Sequence, residues 1–471
     1  MICASIMPES EIDAIKLIRS CEESAKVIEI RLDLKPDIDL TYIANAINKP
    51  IIATCLTARD GGRFAGSLKQ LNDTLLNAAR HKIQYLTINH YLLGKFPFNK
   101  IPRGVKIIAA YHNPRSTPKS PGKIITEMAR TKASVLKFAS HANSFNDNLK
   151  LFGIRSKRPF IGLCMGENGV PSRILYKRFN SWLTFGHPAD SQPSAEGQLS
   201  VKTLSEVYKA DKINAKTRLY ALFGKPVNHS AGPNLFNFQF EQQKMNAAYV
   251  PFQVNNAREI ITAMKKFNIQ GASITAPFKT TIIPYLDEVC RDSEVIGAVN
   301  TIVRRGNRLI GHNTDWAGFQ IALLEDSAYE GLIGKKTPPT VLILGAGGAA
   351  RAIIYALKEL INPNIFVYNR TTEKARALVK RFKCNHVGIK GLKDLKPDII
   401  VNATSAGMNL DNSLPIEAEF IPAGSYVFDA IYNPPETPLI KLAKEKNCRT
   451  QSGLNMFLFQ AHHQLMLWGL K

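Results

Sequence analysis

The sequence predicts an α/β protein built in two successive parts, and three observations carry this prediction. The first 210 residues hold eight short apolar runs, most of them separated by segments compatible with helices. A second α/β pattern begins at Thr217, and within it an apolar run ends on the glycine-rich turn Gly345 to Ala350. Strands that alternate with helices pair in parallel, so parallel sheets covered by helices are expected.

The first part is predicted to be a closed (β/α)8 barrel of the TIM type, because it holds eight candidate parallel strands. The segment is short for that fold, so its loops should be trimmed. Helix-compatible stretches include residues 10–21 and 70–81. The predicted strands cover residues 2–6, 27–32, 51–57, 83–88, 105–111, 134–139, 160–164 and 182–185.

The second part is predicted to contain two domains. Residues 209–216 are a polar candidate linker, so the barrel is assigned to residues 1–210. A substrate-binding domain covers 217–334 and is completed by a C-terminal helix at 450–471, because a cleft between two domains is the common place for a dehydrogenase site. A dinucleotide-binding Rossmann domain covers 335–449. Predicted strands of the substrate domain cover residues 218–223, 247–251, 271–275, 301–304 and 309–311.

The stretch VLILGAGGAARAIIYAL predicts a dinucleotide site, because its glycines allow a tight turn and the following helix presents its N-terminus to a pyrophosphate. A second strand at 365–368 arrives where a βαβ unit requires it, and it ends in Asn369, Arg370 and Thr371. An arginine there suits a 2′-phosphate, which predicts NADP, and Lys374 is a candidate helper. The alternative is a glycine-rich turn in another kind of α/β protein.

Composition limits the class of protein. The net charge of +23 could indicate nucleic acid, but the lysines are dispersed and the charge also suits small anionic substrates. No run of eighteen apolar residues is present, so no membrane partner is expected. No secretory or transit signal is evident. Because the lysines are dispersed, no nucleic-acid partner is expected. Seven scattered cysteines without CxxC spacing predict reduced thiols and a cytoplasmic location. No His, Asp and Glu set has metal spacing, so no metal is expected.

A lysine and a histidine on neighbouring strands form the first candidate catalytic group. Lys137 lies in the apolar run SVLKFA, where burial favours the neutral amine that attacks a carbonyl. His112 ends the preceding strand, so its imidazole should lie near that amine and move protons. Arg173 suits a substrate carboxylate. The alternatives are an exposed edge lysine and an ordinary surface ion pair for the arginine.

Residues 1 to about 208 resemble the type I 3-dehydroquinate dehydratases. The matching segments are EIRLD, YHN with TP, the lysine strand, MGxxGxxSR and SAEGQ. The resemblance implies an imine on Lys137 and His112 as general base and acid. In TARDGG this sequence departs from the family, since the segment is shorter and Asp60 precedes the glycines, so the carboxylate that orients the histidine is either Asp60 or absent. The implied substrate residues are Glu29, Arg31, Arg59, Arg173, Ser194 and Gln198.

A second lysine, Lys279 in SITAPFK, and Asp315 in HNTDWAG could protonate a developing alkoxide if they pair. Spacing alone does not establish that pair, and two separate surface residues are the alternative. Residues 217–471 resemble shikimate dehydrogenase through FGKPVNHS, GAVNT, NRT, NATSAGM, DAIYNPPETP and GLNMFLFQAHHQ as well. The resemblance implies that Lys279 and Asp315 are the catalytic pair.

The same resemblance implies the remaining site residues. Gly232 stands where the family usually has a second serine, which implies weaker or differently composed carboxylate binding. Substrate would be held by Ser230, Thr275, Asn300, Tyr432 and Gln460. NADP would be held by Gly345, Ala346, Gly347, Gly348, Ala349, Asn369, Arg370, Thr371, Lys374, Thr404, Ser405 and Met456.

Together the resemblances imply one chain that dehydrates 3-dehydroquinate to 3-dehydroshikimate and reduces that ketone to shikimate with NADPH. Both steps belong to aromatic amino acid and chorismate biosynthesis. Three alternatives are open: an impaired dehydratase beside a live dehydrogenase, a binding or regulatory protein that has lost the chemistry, and a catabolic enzyme that oxidises quinate or uses NAD. Oligomeric state and any handover between the sites are not predicted.

Overall fold

The computed structural model describes residues 1–228, 230–326, 337–409 and 411–470. The chain divides into two compact units, Met1–Asn268 and Ile269–Lys471. The domain boundary predicted at 334/335 and the last residue of the predicted C-terminal helix lie outside the described residues. Within the described ranges, no helix combines the length and apolar character needed to cross a membrane.

The first unit contains an eight-stranded parallel sheet in the order β7-β6-β5-β4-β3-β2-β1-β8, which confirms the predicted barrel. The sheet is nearly closed, and the backbone N–H of Trp182, just before β8, donates to the carbonyl of Phe160 in β7 at 2.6 Å. The strands are β1 (Ile2–Ile6), β2 (Val27–Arg31), β3 (Ile51–Thr54), β4 (Tyr85–Asn89), β5 (Lys106–Asn113), β6 (Val135–His141), β7 (Phe160–Met165) and β8 (Thr184–Gly186).

Local signals in the sequence set the helices around this barrel. The Ser10 side chain caps the first helix by accepting from the Asp13 N–H, and Ser67 and Gln70 form a reciprocal capping box on the third. Between β4 and β5 the described residues 90–105 contain no α-helix, so this connection is trimmed. The helices of the barrel are α1 (Glu11–Arg19), α2 (Leu40–Ala46), α3 (Leu68–Ala79), α4 (Pro121–Ala129), α5 (Asn146–Leu151) and α6 (Val170–Ile174).

The first unit continues beyond the barrel into β9 (Arg218–Gly224), α7 (Gly232–Gln242), β10 (Ala247–Gln253) and α8 (Ala257–Lys266). Strands β9 and β10 pair in parallel over their whole length. Aromatic rings join this segment to the barrel: the Phe145 ring lies 5.8 Å from that of Phe252, and the Phe152 ring lies 4.6 Å from that of Phe267. Burial of large rings is a strong apolar contribution, so the segment is packed onto the barrel helices.

The second unit begins with strands in the order β11-β13-β14-β12. Strands β13 and β14 form the predicted extended pair, and they are antiparallel, as is β11 with β13. The elements are β11 (Ile269–Ile274), β12 (Glu288–Val289), α9 (Arg291–Ile296), β13 (Thr301–Arg305), β14 (Arg308–His312) and α10 (Asp315–Leu324).

A six-stranded parallel sheet follows, in the order β17-β16-β15-β18-β19-β20, which is the doubly wound arrangement expected for a Rossmann domain. The C-terminal helix α15 packs on α10, and the Trp468 indole N–H donates to the Ile302 carbonyl at 3.1 Å. The elements are β15 (Thr340–Leu344), α11 (Gly348–Leu360), β16 (Asn364–Tyr368), α12 (Thr372–Phe382), β17 (Asn385–His386), α13 (Ile389–Leu392), β18 (Ile399–Asn402), β19 (Tyr426–Asp429), α14 (Pro438–Glu445), β20 (Arg449–Ser452) and α15 (Leu454–Leu467).

Candidate active sites

A cavity of about 200 Å³ lies at the carboxyl ends of the barrel strands. Loops at this end of a parallel barrel carry catalytic groups while the strands hold them rigidly. Most of the residues predicted for the first site line this one cavity: Glu29, Arg31, His112, Lys137, Arg173, Ser194 and Gln198.

Lys137 points into the cavity and is only 5% exposed. Its Nζ lies 3.0 Å from Oε1 of Glu29 and 4.0 Å from the centre of the Phe185 ring. Ala110 of β5 pairs with Lys137 of β6 in the sheet, so His112 follows two residues further along the same strand face. The geometry therefore gives a buried amine with an imidazole beside it, and the lysine is not an edge residue.

The Glu29 carboxylate is the anion that balances this amine. Burial opposes its ionisation, but Lys137 and Arg31 outweigh burial, and the pKa of Glu29 is lowered below its usual value. Its oxygens also accept from the hydroxyls of Ser5 at 2.7 Å and Thr54 at 3.0 Å. Glu29 thus remains an anion fixed by three donors, and it holds Nζ of Lys137 at a defined place.

The group that contacts Nδ1 of His112 is an amide and not a carboxylate. Nδ1 of His112 lies 3.2 Å from Oδ1 of Asn89, at the end of β4. Asp60 contacts Asn89 instead, accepting from its amide Nδ2 at 3.0 Å. An amide therefore lies between the Asp60 carboxylate and the histidine. Burial, together with Lys137 and Arg31, lowers the pKa of His112 well below its ordinary value, so the imidazole is neutral near pH 7.

Arg173, on α6, is 1% exposed, and its Nε and Nη2 have no hydrogen-bond partner among the described residues. Burial without a neighbouring carboxylate lowers its pKa to about 10, so it is still a cation near pH 7. A buried guanidinium without an anion is costly, and a carboxylate in the cavity would satisfy its free N–H groups. Ser194 and Gln198 lie on the same rim, where the Ser194 N–H donates to Gln198 at 2.7 Å.

The two remaining predicted arginines have different positions. Arg31 forms a bidentate salt bridge with Asp33, in which Nε donates at 2.7 Å and Nη2 donates at 2.9 Å. Arg59 is exposed and does not line the cavity; its guanidinium lies over the Tyr91 ring at 4.6 Å. The side chain that the Arg59 loop brings to the cavity is its neighbour, Asp60.

Several polar residues of this site were not predicted from the sequence. Ser5, Thr54 and Asn89 contact the predicted residues directly, and His141 lines the cavity. Asn89 and His141 each end a barrel strand, and that position is the signal by which they could have been found.

The second unit brings together the lysine and aspartate whose pairing the spacing left open. Nζ of Lys279 lies 2.6 Å from Oδ2 of Asp315, with side chains 19% and 8% exposed. Asp315 is the first residue of α10, and its other oxygen accepts from the Asn300 amide at 2.7 Å. The carboxylate is therefore fixed from two sides, and the lysine keeps access to a ligand.

Asn300 and Gln460 continue this network. The Asn300 Oδ1 accepts from the Thr314 backbone N–H at 2.8 Å, and its Nδ2 lies 3.4 Å from Oε1 of Gln460. The other residues predicted for substrate have separate surroundings. Thr275 is half-buried after β11, and the Tyr432 ring stacks on Phe457 at 4.5 Å.

Ser230 lies in the first unit. Its hydroxyl accepts from the backbone N–H of Gly232 at 3.1 Å. Gly232 is buried at the start of α7, where an added Cβ would meet Ser230 Oγ at 3.2 Å and the Tyr249 ring at 3.3 Å. A second serine would therefore need Ser230 or Tyr249 to shift, which accounts physically for the glycine.

The β15–α11 turn fits a dinucleotide. Gly345 has a φ of 108°, and an added Cβ would lie 2.9 Å from the Ala403 carbonyl oxygen, so only glycine fits there. Nothing lies within 4 Å of the Cβ position of Gly347, and no side chain caps α11. An added Cβ at Gly348 would lie 2.9 Å from Cδ of Lys279. Open backbone amides at a helix start suit a pyrophosphate.

The end of β16 is cationic and exposed, as a phosphate site requires. Arg370 and Lys374 are exposed, and the Asn369 amide donates to the Thr371 carbonyl at 2.8 Å, which fixes the loop. Thr404 is held by Asn402 at 2.7 Å, whereas Ser405 is exposed. Met456 is 7% exposed and packs in the hydrophobic core beside Phe319 and Phe428. No group of three metal-binding side chains occurs in the described ranges, and the absence of a metal stays a prediction.

Comparisons with known proteins match both parts of the chain. Residues 2–215 match the model of type I 3-dehydroquinase, residues 222–302 the shikimate dehydrogenase substrate binding domain, and residues 331–424 the shikimate/quinate 5-dehydrogenase model.

Relatives agree with those matches. The chloroplastic bifunctional 3-dehydroquinate dehydratase/shikimate dehydrogenase of Arabidopsis thaliana is 33% identical over 99% of this chain and 82% of its own. The NADP⁺ shikimate dehydrogenase of Methanocaldococcus jannaschii is 41% identical over 54% of this chain and 93% of its own. A crystal structure of a shikimate dehydrogenase in complex with NADP⁺ is 38% identical, covers 55% of this chain and 92% of that one, and has a TM-score of 0.49. This chain belongs to the bifunctional 3-dehydroquinate dehydratase/shikimate dehydrogenase family, whose two activities act in the shikimate pathway.

Proposed function

We propose that Lys137 and His112 carry the dehydration of 3-dehydroquinate in the barrel, and that Lys279 and Asp315 carry the NADPH-dependent reduction of 3-dehydroshikimate. The observation that supports the first role most directly is the cavity itself. It combines a buried amine, a neutral imidazole and an unpartnered buried guanidinium. These groups match the ketone, the transferable proton and the carboxylate of the substrate.

In the dehydration, Nζ of Lys137 condenses with the ketone carbon and releases water, which leaves an imine. Protonated, that imine accepts the electron pair of the adjacent C–H bond when His112 removes the proton. The electrons then form the C=C bond as the hydroxyl leaves, and the proton on His112 goes to that hydroxyl to give water. Hydrolysis of the imine restores Lys137 and frees the product.

Glu29 and Arg173 position these reactants. Glu29 holds Nζ of Lys137 at 3.0 Å and stabilises the cationic imine by its charge. Arg173 binds the substrate carboxylate through its unused N–H groups. Arg31, Ser194 and Gln198 line the same cavity and bind the hydroxyl groups.

In the reduction, Lys279 donates a proton to the ketone oxygen as the alkoxide develops. Asp315, at 2.6 Å, orients the ammonium and is itself held by Asn300. Asn300 and Gln460, with Thr275 and Tyr432, are the proposed substrate contacts of this unit, and Ser230 is the proposed carboxylate ligand. Bound NADPH supplies the hydride that adds to the ketone carbon.

The residues proposed to hold NADP(H) are the β15–α11 turn and the cationic end of β16. The open amides after Gly347 suit the pyrophosphate, and Arg370, Thr371 and Lys374 suit the 2′-phosphate. An Arg370→Ser variant should raise KM for NADPH about tenfold and leave KM for NADH nearly unchanged, because one charge-assisted bond to the phosphate is lost. An equal or better rate of the wild type with NADH than with NADPH would contradict the assignment.

A single coupled assay tests the whole proposal. The full chain is given 3-dehydroquinate and NADPH, and shikimate formation is followed by NADPH absorbance and by chromatography. Both activities should be present. Oxidation of NADPH with 3-dehydroshikimate but not with 3-dehydroquinate would indicate an impaired dehydratase. No turnover with either would favour a binding protein, and preferred oxidation of quinate with NAD would favour a catabolic enzyme.

A further inference from the structure

A hydrogen-bonded chain leads from Asp60 through Asn89 to His112. Asn89 is 2% exposed and Asp60 is 5% exposed, so water does not compete for these contacts. The Asn89 amide Nδ2 donates to Oδ2 of Asp60 at 3.0 Å, and its Oδ1 lies 3.2 Å from Nδ1 of His112. The chain joins the loop after β3 to the ends of β4 and β5.

The chemistry of the three side chains determines which atom donates in each of these hydrogen bonds. A carboxylate only accepts hydrogen bonds, so the Asn89 atom that faces Asp60 must be the NH₂ group. The Asn89 atom that faces His112 is then the carbonyl oxygen, which also only accepts. Nδ1 of His112 must therefore carry the proton, which leaves the lone pair of the neutral ring on Nε2.

We propose that Asp60 and Asn89 are positioning residues that hold His112 as its Nδ1–H tautomer, with Nε2 unprotonated and available to take the substrate proton. The inference rests on the proposed role of His112 as the base of the dehydration. Neither residue touches the reacting atoms in this account; both act through the imidazole.

Two further observations support this assignment. Asp60 cannot rotate away easily, because the same Oδ2 also accepts from the hydroxyls of Thr57 at 2.8 Å and Tyr91 at 2.7 Å. Nε2 of His112 is buried and has no hydrogen-bond partner among the described residues, as expected of a base that waits for a ligand. Burial, with the cations Lys137 on the neighbouring β6 and Arg31 on β2, lowers the pKa of the ring and helps to keep it neutral.

The substitution Asp60→Asn tests the proposal with little change of shape. An asparagine at this position can present either its oxygen or its nitrogen to Asn89, so the Asn89 amide is free to turn over and to accept the other histidine tautomer. We expect kcat of dehydration to fall at least twofold, because the part of His112 that carries its proton on Nε2 cannot take the substrate proton. The amount of substrate adduct trapped on Lys137 by borohydride at saturating 3-dehydroquinate should remain within threefold of the wild type, since Lys137 keeps its surroundings.

A direct readout is the tautomer itself. Long-range ¹H–¹⁵N spectra of the full chain, labelled at histidine and assigned with a His112→Gln variant, should show Nδ1 protonated and Nε2 bare in the wild type. The Asp60→Asn and Asn89→Leu variants should show a mixture of both tautomers. Asn148→Leu is the matched control: this buried amide donates only to the carbonyls of Phe145 and Asn168, so its loss should leave the tautomer and kcat unchanged.

The outcomes are distinct. A proton on Nε2 in the wild type, or an Asp60→Asn variant with unchanged spectrum and unchanged kcat, would overturn the inference. If Asp60→Asn does not fold, the wild-type and Asn89→Leu spectra still decide. Failure of the wild type to dehydrate 3-dehydroquinate would instead overturn the proposed function, and the spectrum of the free protein would still report the tautomer.

Discussion

The two candidate sites use the same pair of groups, a lysine and a carboxylate, in different surroundings. Lys137 is 5% exposed, lies against an aromatic ring, and shares Glu29 with two hydroxyls. The Lys279 side chain is 19% exposed and faces Asp315, whose other oxygen is held by Asn300. The first amine lies inside a cavity with a histidine beside it; the second lies beside the glycine turn of a dinucleotide domain.

The surroundings of each lysine indicate which chemistry it is suited to. In the barrel the amine is enclosed and an imidazole is available to move protons, so covalent attack on a ketone is useful. In the second unit Asp315 holds the Lys279 amino group in a fixed position, which suits donation of one proton. In the proposed mechanism the same side chain is a nucleophile in one site and an acid in the other because its neighbours differ.

The largest effect is expected when the lysine of the barrel site is removed. A Lys137→Ala variant should lose dehydration by at least about a thousandfold, the scale seen when a covalent nucleophile is removed. Borohydride with 3-dehydroquinate should no longer add mass to the chain. Reduction of 3-dehydroshikimate by the same sample serves as the folding control and should stay within twofold. Retained dehydration would refute the imine.

The reciprocal change is Lys279→Met. We expect the reduction of 3-dehydroshikimate to fall about 10²- to 10³-fold in kcat, because general-acid catalysis contributes on that scale. Dehydration and borohydride trapping on Lys137 should be unaffected, and NADPH should still bind, as measured by its fluorescence. A change confined to KM would show that Lys279 binds substrate and does not donate the proton.

For Arg173→Met we expect a smaller loss of dehydration together with a more stable free protein. Loss of charge-assisted bonds worth about 1.5–3 kcal/mol should lower kcat/KM for 3-dehydroquinate roughly 10- to 150-fold. The free protein should melt at a higher temperature, because a buried cation without an anion has been removed. Initial rates at varied 3-dehydroquinate concentrations measure the first effect, and differential scanning fluorimetry of the free protein measures the second. A lower melting temperature of the free variant would show that the guanidinium is already neutralised.

The mildest prediction concerns pH. The pKa of His112 is lowered by burial and by Lys137 and Arg31, so the neutral base persists as the pH falls and is lost only below the ordinary histidine value of 6.5. The acid limb of kcat/KM for dehydration, which reports the free enzyme, should therefore lie below pH 6.5. Dehydrogenase activity at each pH controls for unfolding. An acid limb above 6.5 would disagree with the buried, cation-flanked geometry.

The sequence predicted the parts of this molecule that depend on local pattern. Eight apolar runs became eight strands, and residues at or just beyond strand ends, such as His112 and Arg173, line one cavity as expected. The pairing of Lys279 with Asp315 could not follow from a spacing of thirty-six residues, because it depends on how β11 and α10 meet. The family resemblance, not the spacing, led to that expectation.

The residue that contacts His112 could not be predicted from the sequence pattern. The alternatives left open by the sequence were Asp60 or no carboxylate, and in the structure the Asn89 amide, from another strand, lies between Asp60 and His112. Arg59 was expected at substrate from its motif, yet loop geometry turns it onto Tyr91 and brings Asp60 to the cavity. Both differences arise from side-chain directions in one loop, which a linear pattern does not encode.

The close approach of Gly348 to Lys279 has a consequence for anyone who redesigns the coenzyme preference of this protein. Here even one methyl group at position 348 would press on the carbon stem of Lys279, the proposed proton donor. Randomising that codon would thus report on acid catalysis as much as on nucleotide choice, and screens should keep it fixed.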